Sequence, residues 1–360
     1  MKKIDKTLLI SVIILSLFGL LMIYSSSCIW ADYKFNDPYK YLKSQGLFLI
    51  LGYFLIYIIS KINYQIYYKY SNYILLICSI LLVLVLIPGI GSIRNGSRSW
   101  FGIGSFGIQP SEFAKLGLII FTSKYLTNNK IKSIRSSVFP ILLVVFFLFG
   151  LIMLQPDFGT GVILVMTIIA ILFISGVNMS FFTILGVLGL ICIVILIIIA
   201  PYRLERITSF INPWADPLGS GFQIIQSLYA IGPGGLLGMG LGNSIQKHFY
   251  LPEPQTDFIF SIISEELGFA GILIISCLFI TIIYHGINIS LKQEDNFAKY
   301  LSFGITFSLS FQTLLNLMVV VGLIPVTGVT LPFLSYGGSS LLVSMVSIGI
   351  LLNISKYNSQ

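Results

Sequence analysis

The 360 residues are 56% hydrophobic and only 9% charged, where a soluble domain carries roughly a quarter; this excludes a water-soluble globular protein and marks a polytopic membrane one. The net charge of +8 does not make a nucleic-acid binder, because the lysines and arginines are scattered along the flanks of apolar runs and form no basic stripe with interleaved aromatics. Cys28, Cys78, Cys192 and Cys277 lie in or beside different runs with no C-x-x-C pair, so neither a disulfide frame nor a metal site follows.

Lys2 and Lys3 precede an apolar run from Thr7 to Tyr24. That run exceeds the roughly 7 to 15 residues of a signal-peptide core, which predicts an uncleaved first helix. Runs long enough to cross a bilayer recur at Thr7–Ser27, Ser44–Lys61, Tyr73–Pro88, Pro110–Leu126, Val138–Leu154, Phe158–Ser175, Ser180–Ala200, Phe269–His285, Tyr300–Val321 and Ser339–Ile354. The expected fold class is therefore all-α, one integral membrane domain over 1–360 with about ten transmembrane helices. Its long segment, 201–258, lies between the seventh and the eighth.

An even number of spans puts both termini on one side. The tails and the segments Lys61–Asn72, Lys124–Ser137 and Gly286–Lys299 hold 12 Lys and Arg, against 8 diluted over the longer loops of the other side. Both termini are then expected in the cytoplasm, and 201–258 is expected outside. The first outer loop, with Trp30, and the tyrosine-rich Lys61–Asn72 read as interfacial belts without functional content.

Gly89–Gln109 has no apolar periodicity and reads as an outer loop of tight turns. Pro110 then opens the fourth helix, with Glu112 favouring its positive end and Lys115 one turn on along the same face. That pair suits either a structural role or a role towards substrate. Asp157 sits in a tight turn, as a cap for the sixth helix or as a contributor to an outward cavity. The segment after Pro201 carries Arg203 and Arg206. Turn residues at Asn212–Gly221 and a short amphipathic stretch at Phe222–Ala230 come next, fit to lie in the interface.

The glycine-rich run Gly232–Asn243 has no G-K-[ST] and no preceding strand, so it is a poor nucleotide loop. It reads as re-entrant chain shielded by protein or lining a wet cavity, with amides that could also meet a pyrophosphate. Pro252 and Pro254 stop regular structure, and Thr256 is the expected N-cap of a helix beginning at Asp257. Glu265 would lie roughly 12 Å deeper on a similar face, and Glu266 would point away. A carboxylate at the mouth of a span is costly unless wet or partnered, which makes Asp257 the functional candidate. The uncharged loop Gly322–Ser340 can shape a pocket but supplies no base.

The outer inventory is thus carboxylates (Asp157, Glu253, Asp257, Glu265), cations (Arg94, Arg98, Arg203, Arg206, Lys247), the lone His248 and many hydroxyls. There is no metal-ligand spacing and no G-x-S-x-G. A carboxylate beside cations suits general-base activation of a hydroxyl with an anionic leaving group held by Arg or Lys. In an outward-facing membrane site that points to lipid-phosphate-linked sugars. A transporter is the competing class, since carboxylates and broken helices also serve transport.

Gly96-Ser-Arg-Ser-Trp100, Gln109-Pro-Ser-Glu112-Phe-Ala-Lys115, Gln155-Pro-Asp157-Phe-Gly-Thr160, Gly242-Asn-Ser-Ile-Gln-Lys247, Leu251-Pro-Glu-Pro-Gln-Thr-Asp257-Phe-Ile-Phe260, Glu265-Glu-Leu-Gly268 and Leu331-Pro-Phe-Leu-Ser-Tyr-Gly-Gly-Ser-Ser340 resemble, in order along the chain, the signature runs of the SEDS family (RodA, FtsW and SpoVE). The Gly242–Lys247 run resembles the division and sporulation branch, and Gln255 stands where elongation members usually have His.

The resemblance implies a peptidoglycan glycosyltransferase of the bacterial cytoplasmic membrane that polymerises lipid II and works with a class B penicillin-binding protein, the transpeptidase. A lipid II flippase is the alternative. Asp257 would be the catalytic base, and Trp100, Glu112 and Lys115 match positions tied to activity or integrity. Arg98, Arg203, Arg206 and Lys247 are candidates for holding the pyrophosphate, with Asp157 and Glu265 in the charge balance. No cofactor is implied; a divalent cation, Mg or Mn, could help at the pyrophosphate, though the sequence contains no cage for one.

Overall fold

The computed structural model describes residues 4–94, 96–102, 107–129, 138–199 and 201–357. Lys2, Lys3, Lys130, Lys132 and Arg135, which enter the charge count for topology, lie outside them. The helices in order are α1 (Lys6–Phe35), α2 (Lys40–Lys61), α3 (Gln65–Leu86), α4 (Pro110–Asn128), α5 (Phe139–Met153), α6 (Phe158–Ile174), α7 (Met179–Ile199), α8 (Pro201–Ile211), α9 (Phe222–Ile231), α10 (Ile259–Leu291), α11 (Asn296–Val320) and α12 (Gly338–Ser355). Six of them, α1, α2, α3, α10, α11 and α12, are long and apolar enough to cross a membrane, and α5, α6 and α7 are shorter apolar helices. The chain is a multi-pass membrane protein.

Each apolar run lies on one of these helices, but several helices run further than the run does. α3 begins at Gln65, so most of the stretch read as an inner loop is helix, and α1 continues through Trp30 to Phe35. Tyrosine, tryptophan and lysine end an apolar pattern without ending a helix, because their apolar bodies stay in the interface while their polar tips reach water. The turns expected over Gly89–Gln109 include a small antiparallel hairpin, β1 (Ser92–Arg94) and β2 (Ser97–Trp100). α8 was not foreseen; α9 coincides with the amphipathic stretch.

α12 packs along α2 near the centre of the bundle. α3 lies along α4, α10 along α11 and α1, and α11 along α6 and α4. α7 contacts chiefly α8 and exposes Val187, Leu190, Ile191, Val194 and Ile198, which suits a lipid-facing helix. At one end of the bundle the Asp5 N–H donates to Ser355 Oγ (3.2 Å), and Asp5 Oδ2 meets His285 Nδ1 (2.7 Å), so both described chain ends share it. The segment between α7 and α10 occupies the other end.

Candidate active site

The long segment is built around a break in α10. Gly268 has φ 60° and ψ −157°, which interrupts the helix after two turns and frees backbone groups that lipid cannot satisfy. The glycine-rich run fills the gap: Met239 and Gly240 N–H donate to the carbonyls of Glu265 and Glu266 (both 2.9 Å), while Phe269 and Ala270 N–H donate to Gly235 and Leu236 (2.9 and 3.0 Å). A Cβ on Gly234, Gly238 or Gly268 would collide with backbone across this junction. The run is thus inserted backbone, held by main-chain pairing.

Two carboxylates anchor residues 244–247, just beyond the glycine-rich run. Glu265 accepts from Ser244 Oγ and from the N–H of Ile245 (2.8 Å) and Gln246 (3.4 Å). Glu266 accepts from Lys247 Nζ (2.9 Å) and from Ser25 Oγ of α1 (2.7 Å). Lys247 is only 3% exposed and also donates to the Gly242 carbonyl, so its charge is committed inside the protein. Glu266, which the helical wheel turned away from the site, is Lys247's counter-ion. The wheel places a residue relative to its own helix and says nothing of a chain folded against the opposite face.

Asp257 stands clear of this cluster. α10 starts at Ile259, with Phe258 as cap residue and no side-chain cap, two residues later than expected. Thr256 is not the cap: its hydroxyl lies 2.7 Å from the Glu253 carbonyl and 2.9 Å from Asp257 Oδ1, one proton shared between two acceptors. Asp257 therefore occupies a turn, and its surface is only partly covered. Enough protein surrounds the carboxyl that desolvation holds its pKa above the usual carboxylate range. Glu253 adds to the rise, while the Thr256 hydrogen bond and Arg206 oppose it.

The uncharged loop between α11 and α12 is the hub around this turn. Tyr336 N–H donates to the Gln255 carbonyl (2.8 Å), Arg206 Nη1 of α8 donates to Val326 O (2.9 Å), and Asn316 of α11 bonds both Asp257 O and Val329 O. Gln45 of α2 meets Ser335 O and Gly337 N–H. Ser339 accepts from Gln109 N–H (2.9 Å) and donates to Gly107 O.

Of the remaining sequence candidates, Asp157 and the Glu112–Lys115 pair connect to this hub. Asp157 caps α6 through Thr160 N–H (3.2 Å) and accepts from Gln109 Nε2 (2.9 Å). Lys115 and Glu112 form a buried pair at 3.1 Å, and Lys115 also donates to Gln312 Oε1 (2.8 Å), whose amide reaches Thr330 O. Trp100 carries the Arg94 guanidinium 5.0 Å from its ring centroid. Arg98 turns to the Leu86 carbonyl at the end of α3. Arg203 is on α8, with its side chain outside the described part. Among the described residues no three His, Cys, Asp or Glu come together as a metal cluster.

Sequence reasoning missed Glu266, Ser25, Gln312 and Asn316. Gln312 and Asn316 had a signal, two amides at i, i+4 on one face of an apolar span, where polar side chains are costly unless used.

The chain matches relatives over nearly its whole length. It is 52% identical to stage V sporulation protein E of Bacillus subtilis over 356 residues, covering 98% of this chain and 97% of that one. It is 42% identical to a probable peptidoglycan glycosyltransferase FtsW of Coxiella burnetii, covering 97% and 95%. A solved chain from a study of polymerization and crosslinking by a peptidoglycan synthase complex superposes with a TM-score of 0.81 at 29% identity, over 99% of this chain and 98% of that one. The rod shape determining protein RodA of Thermus thermophilus gives 0.74 at 26%, over 99% and 98%. The model of the FtsW/RodA/SpoVE family of cell cycle proteins matches residues 5–360, and the chain belongs to that family.

Proposed function

We propose that this chain is a peptidoglycan glycosyltransferase that polymerises lipid II at the outer face of the cytoplasmic membrane during division or sporulation. Ten spans, α1 to α7 and α10 to α12, would carry it, with both termini inside. The observation that carries the reading is a partly exposed carboxylate, Asp257, desolvated by the surrounding protein and set in a turn within the electrostatic reach of Arg206.

Asp257 accepts the proton of the acceptor sugar's 4-hydroxyl. The oxygen attacks the donor's anomeric carbon, the bond from that carbon to the pyrophosphate breaks, and undecaprenyl pyrophosphate leaves with the electron pair. A desolvated carboxylate is a stronger base than one in water, and a guanidinium nearby offsets the charge that develops on the leaving group. Arg206, with Arg203 one turn earlier on α8, is the best-placed cation for it. Lys247 is paired with Glu266 and is better read as a brace. A divalent cation would find Glu253 and Asp257 in this turn, too few for an all-protein cage, and would take most of its ligands from water and phosphate oxygens.

The proposed partner is a class B penicillin-binding protein; the likeness to a chain from a study of polymerization and crosslinking by a peptidoglycan synthase complex supports a crosslinking partner. The test is lipid II polymerisation by the purified protein with that partner. Asp257→Asn is expected to lose at least 100-fold in rate while remaining folded; full-length glycan at the wild-type rate would end the base assignment.

A further inference from the structure

Asp257 is set in an irregular turn, so something other than helix geometry must decide where its carboxyl points. The backbone supplies one tie, from Tyr336 N–H to the Gln255 carbonyl. Beside the local Thr256 hydroxyl on Asp257 Oδ1 (2.9 Å), a long-range tie comes from a side chain 59 positions away: Asn316 Nδ2 donates to the Asp257 carbonyl and to the Val329 carbonyl, each at 2.7 Å. Asn316 is 0% exposed. It is rooted in the last two turns of α11, so the chain that carries it is regular and braced.

The orientation of this amide is settled by its partners. Both are carbonyl oxygens, which only accept, so the nitrogen must face them. Oδ1 is left without a hydrogen-bond partner, and an unpaired acceptor in a dry interior costs free energy. The same NH2 group spans the base-bearing turn and the hydroxyl-rich loop, leaving the two pieces no freedom to slide against each other.

We propose that Asn316 is a positioning residue for the glycosyl transfer: by clamping the Asp257 and Val329 carbonyls to the end of α11 it holds the turn that carries the Asp257 carboxyl in place beside the loop. This rests on the reading of Asp257 as the base. Asn316 itself touches no reacting atom. Misplacing a reacting group by about 1 Å can cost on the order of a hundredfold in rate, so loosening one clamp has a measurable consequence without unfolding the bundle.

The test is lipid II polymerisation by the full-length protein with its transpeptidase partner, comparing wild type, Asn316→Leu, Asp257→Asn and the double variant across pH. Asn316→Leu keeps the side chain's bulk and removes both donors. Its kcat is expected to fall at least tenfold while KM changes less than threefold. Its acid limb should move to lower pH, because a released turn brings Asp257 nearer water and removes part of the desolvation that raises its pKa. The double variant should be no worse than Asp257→Asn alone.

A merely structural role would reduce the active fraction and leave the acid limb where it is in wild type. That result, or wild-type kcat in a folded Asn316→Leu, overturns the proposal while leaving the base reading intact. Activity retained by Asp257→Asn overturns both. Should the leucine variant not survive extraction, Asn316→Ser carries the same reading with a milder disturbance, and an unshifted limb there counts against the proposal.

Discussion

With Asp257 as the proposed base, its placement beside Arg206 gives the site an expected pH dependence whose direction can be worked out. A base works deprotonated, so if Asp257 is the base, as proposed, activity is expected to rise as pH climbs through its raised pKa, with the acid limb above that of an ordinary aspartate. Arg206 holds that pKa down, so Arg206→Ala is expected to push the limb to still higher pH; a rate–pH profile of the variant with unchanged limb would show that the guanidinium is too well screened to matter. The buried Glu112–Lys115 pair, 3.1 Å apart and almost wholly enclosed, calls for a different measurement. Lys115→Met leaves an uncompensated carboxylate and should cost about 3–5 kcal/mol. Adding Glu112→Gln should return a large part of it, read as thermal stability in detergent. Both members of this pair were legible from their spacing on a single helix. Their third partner, Gln312, was not, because no pattern within one segment records which other segment packs against it.

The broken helix shows the same boundary between local and non-local information at the scale of an element. The sequence supported a close-packed or re-entrant glycine run and a span from Phe269; in the structure the run packs into the break just before Phe269. It did not support the junction between them, in which α10 is continued across Gly268 by hydrogen bonds to residues 235–240. Periodicity reports the half-helices separately, and the φ of 60° at Gly268 is a tertiary consequence. Substitution should make the difference plain. Gly238→Ala and Gly268→Ala place a methyl group against backbone at positive φ, so each should lower the Tm clearly and reduce activity. Gly150→Ala on α5, where an added Cβ meets nothing within 4 Å, should be neutral or stabilise by roughly 0.5–1 kcal/mol. Equal Tm values for all three would mean that the insertion contributes little.

For the molecule as a whole, apolar run length located every span-like helix, since bilayer thickness constrains a segment independently of its neighbours. The helix ends were blurred wherever Tyr, Trp and Lys extended a helix through the interface. Loop charge is expected to put the termini in the cytoplasm and the long segment outside: a cysteine at exposed Ser220, in the long segment, should react with a membrane-impermeant thiol reagent in intact cells, whereas one at exposed Glu294, between α10 and α11, should not. Reversed labelling would invert the topology and move Asp257 to the wrong compartment for its substrate.

The inserted glycine run also bears on biogenesis. Residues 235–240 precede Gly268 in the chain, so during synthesis the segment that closes the break already exists when the break is made. The short half-helix carrying Glu265 and Glu266 is a poor candidate to enter lipid alone, with two carboxylates and open backbone groups at one end. It is expected to leave the translocon only as a unit with the preceding run and the rest of α10.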